Sequence, residues 1–106
     1  MKIYRQGDVL IRRVRALPKD RGAEIARDDR GRLILAAGEA TGHHHAIDAL
    51  AARLFRGEKP GVCYLLLEEP ATLGHEEHAP IALAPGNYEV IRQREYSPEA
   101  IRNVAD

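Results

Sequence analysis

The stretch Ala51-Ala52-Arg53-Leu54-Phe55-Arg56-Gly57-Glu58-Lys59-Pro60-Gly61-Val62-Cys63-Tyr64-Leu65-Leu66-Leu67-Glu68 decides the fold class. Its second arm, Val62 to Glu68, is rich in strand formers, and Gly57 to Gly61 is a strong turn. Its first arm reads two ways. Ile47, Leu50, Ala51 and Leu54 fit one face of a helix, and the alanines favour helix. The turn and the plainly β second arm favour a strand from Ala51 to Arg56, paired with Val62 to Glu68 as a hairpin.

Outward from this hairpin, glycine and proline punctuate the chain at the spacing of an all-β sandwich or barrel. Gly7-Asp8 reads as a turn into a strand from Val9 to Val14. There the adjacent Leu10 and Ile11 suggest burial on both faces at its start. Leu17 to Gly22 is a loop. Glu24-Ile25-Ala26-Arg27 and Arg32-Leu33-Ile34-Leu35-Ala36, joined by Asp28-Asp29-Arg30-Gly31, form the pattern of a second hairpin. Ala37 to Gly42 turns the chain into the histidines. Pro70, Pro80 and Pro85 mark loops or edges, because proline cannot donate to a ladder. Pro85-Gly86-Asn87 precedes a long strand, Tyr88 to Tyr96. Ser97-Pro98-Glu99 then has the form of a helix start, with Ser as cap and Pro at the first helical position. The expected fold is all-β over a single domain, residues 1–106. It is a small barrel or sandwich of roughly six to eight short strands, and a short helix from Pro98 to Val104 covers one end.

The chain has 16 basic and 16 acidic residues, so no global field draws it to nucleic acid or an anionic membrane. The basic residues are almost all arginine, which fits either a GC-rich coding sequence or oxyanion binding by the guanidinium fork. The single cysteine, Cys63, cannot form an internal disulfide and lies in an apolar run, where an inert buried thiol is the ordinary outcome. No apolar run approaches the ~20 residues needed to span a bilayer, and residues 1–7 lack a signal-peptide core. A soluble, cytoplasmic protein with no membrane partner is the expectation.

All five histidines fall in two clusters, His43-His44-His45 and His75-Glu76-Glu77-His78. On a strand, His43 and His45 would point one way and His44 the other. His-x-His can give two ligands to one metal, with His75 and His78 completing the set and Glu76 or Glu77 adjacent. Zinc accepts such donors tetrahedrally, while Ni, Fe, Mn and Cu also suit parts of this ligand set. The second cluster is not the zinc-protease helix motif, whose histidines stand four apart. His44 on the opposite face would be exposed or would support the ligands. Histidines can also bind metal adventitiously, cap a loop or pair with carboxylates.

On the last strand Tyr88, Val90, Arg92, Arg94 and Tyr96 share one face. Arg92 and Arg94 could hold a phosphate or, more ordinarily, pair with carboxylates across a ladder. Asp8 reads as a turn residue.

The segment Gly38, His43 and His45, with the Pro85-Gly86 turn, resembles part of the cupin pattern, which implies a metal-binding β-barrel. Here the Pro-Gly turn follows the histidines, and no histidine follows it. Gln6-Gly7-Asp8-Val9-Leu10-Ile11, Gly38-Glu39-Ala40-Thr41-Gly42-His43, His75-Glu76-Glu77-His78-Ala79-Pro80-Ile81 and Pro85 to Tyr96 resemble small uncharacterised bacterial and phage-encoded proteins. That resemblance implies a coherent fold and no activity.

Three functional readings stay open. The first is a divalent-metal-binding protein or metal-dependent hydrolase, with His43, His45, His75 and His78 as ligands and His44, Glu77, Arg92 and Arg94 as candidate catalytic residues. The second is a metal-independent nuclease or phosphoesterase acting on RNA or a small phosphoester, built from a histidine pair and an arginine. The third is a non-catalytic binding or assembly module, for which an open sheet edge favours a homo-oligomer.

Overall fold

The computed structural model describes residues 2–37 and 44–93. They form nine strands and, among the described residues, no helix. The strands are β1 (Ile3–Gln6), β2 (Val9–Val14), β3 (Leu33–Ala37), β4 (His44–Ile47), β5 (Ala52–Arg56), β6 (Val62–Leu67), β7 (Ala71–Leu73), β8 (Ile81–Leu83) and β9 (Gly86–Arg92). One sheet has the order β1-β2-β9-β6-β5. Two antiparallel pairs, β3-β4 and β7-β8, are joined by reciprocal backbone hydrogen bonds between Ala46 and Gly74. They make a second layer. The expected all-β fold is therefore present. The stretch expected to form a C-terminal helix, together with Arg94 and Tyr96, lies outside the described residues.

Both layers contribute to one apolar cluster. Val9, Ile11, Leu54, Leu65, Tyr88 and Val90 enter it from the large sheet, and Leu33, Ile47, Leu73 and Leu83 from the second layer. The alternation that places them is legible in the strands themselves. β9 buries Tyr88 and Val90 and carries the half-buried Arg92 to the rim on the same face.

The first arm of the deciding stretch is a strand. β5 pairs with β6 from Ala52↔Leu67 to Arg56↔Cys63. The second expected hairpin, between 24–27 and 32–36, does not form. Glu24 makes only an isolated bridge to Phe55, and β3 pairs with β4. The turn itself is there: Asp28 accepts hydrogen bonds from the backbone N–H groups of Arg30 and Arg32 and from the Arg32 side chain. Arg27 donates to the carbonyls of Ala49, Leu50 and Ala52, holding its segment against the approach to β5 instead of along β3. Among the described residues no helix is long and apolar enough to cross a membrane.

Candidate functional site

Two-residue hairpin loops favour a glycine with positive φ at the first position, the type II′ arrangement. The β1–β2 hairpin fits this. Gln6 pairs with Val9, and Gly7 has φ +60°. The loop also places three successive residues against the second layer. Gln6 points inward and is buried, Asp8 stands at the rim, and Gly7 lies under the histidines. A Cβ on Gly7 would come within 2.7 Å of His78 Nε2 and 3.3 Å of His45 Cε1. The absence of a side chain is what makes room for the rings.

Strand alternation in β4 turns His45 inward, 4 % exposed, and leaves His44 half-exposed. His75 and His78 come from the loop after β7. The ring centroids of His45 and His75 are 4.3 Å apart, those of His75 and His78 4.5 Å, and those of His45 and His78 6.0 Å. Thus three of the five histidines meet; His43 lies outside the described residues. His44 lines an adjoining groove of about 410 Å3, shared with Arg32, Asp48, Thr72, His75 and Glu76.

Gln6 and His45 are the buried polar residues among those described, and they bind one another. The Gln6 amide nitrogen donates to the carbonyls of Leu73, at 3.1 Å, and Ala79, at 2.9 Å. This fixes the amide orientation, because a flipped amide would set its oxygen against two carbonyl oxygens. Gln6 Oε1 must then accept from His45 Nδ1–H at 2.8 Å. In neutral His45 the Nε2 lone pair is consequently directed away from Gln6, and Asp8 Oδ1 lies 3.4 Å from it.

Burial, chiefly, and then the neighbouring His75 push the pKa of His45 down to about 4, against the opposing pull of Asp8. The ring is therefore neutral at neutral pH. For Asp8, burial favours the acid form, but the Arg92 hydrogen bond and charge outweigh it and hold the carboxyl below its ordinary range. Arg92 Nε donates to Asp8 Oδ2 at 3.2 Å. A carboxylate at the rim and the lone pair of a buried imidazole thus face each other at 3.4 Å.

The other cluster has a different structure. His75 Nδ1 accepts from the backbone N–H groups of Glu77, at 3.0 Å, and His78, at 3.3 Å. Its ring closes the loop that brings His78 over Gly7. Glu76 Oε2 accepts from the backbone N–H of His44 at 3.0 Å and ties the same loop to the start of β4. Glu77 contributes that backbone N–H, and the residue is exposed. Among the described residues no group of three or more His, Cys, Asp or Glu side chains is already gathered around a metal-sized point. Cys63 is not among the residues gathered here, and burial pushes its thiol up to about 12.

Gln6, Gly7 and Asp8 were not expected as site residues. The available signal was a polar Gln-Gly-Asp loop at a strand end, which reads equally as a plain turn. No curated protein and no solved structure matches the chain. One family model does match, over residues 5–93, a span that includes both ends of the histidine site, and the chain belongs to the family it describes, Domain of unknown function (DUF8820).

Proposed function

We propose that the protein binds a divalent metal ion between His45, Asp8 and His78. The observation that carries this reading is the Gln6-fixed tautomer, which leaves an imidazole lone pair facing an ionised carboxylate at 3.4 Å. Two bonds of about 2.1 Å to one ion, at a near-tetrahedral angle, separate their donor atoms by about 3.4 Å. The donor set is nitrogen and oxygen, which suits Zn and, after it, Ni, Fe, Mn or Cu. His45 has the usual support of a ligand histidine, an acceptor on its other ring nitrogen that sets tautomer and orientation.

His78 is the adjustable member. It is exposed, and a rotation of its side chain about its own bonds would complete a three-residue set. His75 shapes the loop, Gln6 aims His45, and Arg92 holds Asp8. On the exposed side an ion would keep positions for water or a substrate oxygen, and in such a site it supplies Lewis acidity. That is the basis for reading the centre as hydrolytic, with a phosphoester or a small ester or amide as substrate class. The chain's own residues then bind and orient: His75 and Arg92 flank the open face as a donor and a fixed positive charge.

Isothermal titration of the full chain, purified without a tag and stripped with EDTA, tests the reading with Zn2+. One equivalent should bind, with loss of binding in both His45→Ala and Asp8→Asn. Binding that survives both substitutions would overturn it.

A further inference from the structure

A second cavity of about 310 Å3 opens beside β3 and β6. Among the described residues no histidine lines it, but Arg92 does, so one arginine borders both places. Its wall is apolar, formed by Ile25, Leu35, Val62 and Cys63. At its mouth the β5–β6 turn contributes Arg56 and Lys59, with Glu58 the one acid among the lining residues. Three cations line it against one anion, and with Asp8 paired to Arg92 from the other side the surroundings keep an excess of one positive charge.

The balance matters because of where Arg92 sits. Its side chain is only 15 % exposed, so its charge is weakly screened on the cavity side. The Cys63 thiol lies on the same wall, and burial keeps it neutral. Nε of Arg92 is engaged by Asp8, and the Nη groups are the part of the fork an incoming acid would meet. A cavity near the lower end of the ~300–1,000 Å3 range of ligand sites admits only a small molecule.

We propose that this cavity binds a small organic oxyanion, a carboxylate or phosphate monoester on a short apolar body. The acid group lies on Arg92, and the apolar part lies against Leu35, Val62 and Cys63. Arg56 and Lys59 draw the anion in at the mouth. The site does not require an ion at His45, and it can be examined in the metal-free protein.

The test is an amide 15N–1H titration of the full chain in EDTA with hexanoate, hexyl phosphate and, as the uncharged comparison, hexanol. Saturable shifts are expected at Leu35, Val62 and Cys63 with one or both anions, and hexanol should bind at least about tenfold more weakly, the equivalent of one charge-assisted contact. The acid that binds identifies the head group. The double variant Arg56→Gln/Lys59→Gln, at exposed positions whose loss should leave the fold intact, should weaken the anion about threefold to tenfold, as for two exposed charges. Equal binding of hexanol would overturn the proposal, as would unshifted cavity amides with both anions at millimolar concentration. So would shifts confined to His45, His75 and His78. None of these outcomes bears on the ion at His45, which is absent throughout.

Discussion

The two histidine clusters are made of the same residue and are built differently. His45 stands on a strand, faces the core and has one ring nitrogen tied to Gln6 and the other set against Asp8. His75 and His78 stand in a loop, where one ring ties down the backbone and the other is exposed over Gly7. The strand supplies a fixed donor, and the loop supplies an adjustable one. Backbone context, more than residue type, therefore assigns the roles: the inward strand position fixes a tautomer, and the loop position allows a ring to move onto a ligand.

Substitutions should separate the two clusters. His45→Ala removes a buried ring and leaves Gln6 Oε1 without its donor, so a loss of about 4 kcal/mol in urea unfolding is expected. His78→Ala should cost the metal-free fold under about 0.5 kcal/mol while weakening Zn2+ binding. Equal destabilisation by the two would erase the distinction. Gln6→Leu removes the amide donor from the carbonyls of Leu73 and Ala79 and frees the His45 ring, for an expected loss of about 3 kcal/mol. A near-neutral result in the same unfolding assay would mean that the amide does not orient the imidazole.

The pH dependence follows from the sign of the His45 shift. Its folded value, about 4, lies below its ordinary 6.5, so the unfolded chain takes up the proton first. The stability contributed by neutral His45 is complete above pH 6.5 and is lost as pH falls through about 4. The metal-free protein should therefore lose about 3 kcal/mol across that window, an effect absent from His45→Asn. A flat melting temperature from pH 7 to pH 4 would contradict the buried, neutral assignment. Gly7→Ala forces a side chain into a positive-φ position and against His78, with an expected cost of about 1 kcal/mol. It should displace His78 and leave His45 in place, which histidine ring spectra would register. The smallest effect belongs to His44→Ala, in the adjoining groove: within about 0.5 kcal/mol, with unchanged Zn2+ affinity.

Local pattern made much of this legible in advance. The β2 strand, the β5–β6 hairpin and the inward face of β9 all follow from alternation and turn residues acting over a few positions. The expected 24–36 hairpin failed for the complementary reason. Its turn chemistry is real, but Arg27 is drawn to carbonyls at 49–52, and β3 finds its partner at β4. The site divides the same way. Histidine type and the opposed faces of His44 and His45 could be read directly. Gln6 and Asp8 could not, because register across a distant pair of strands gives them their roles. Gln6 meets His45 across 39 positions of chain, and Arg92 meets Asp8 across 84.

The central claim is that His45 holds its proton on Nδ1, against Gln6, and presents Nε2 to Asp8 and an ion. Long-range 15N–1H spectra of the imidazoles in metal-free protein at neutral pH read this directly. The expected result is the Nδ1–H tautomer for His45, with its Nε2 resonance moving when Zn2+ is added. An Nε2–H tautomer, or an Nε2 resonance indifferent to the ion, would contradict the account.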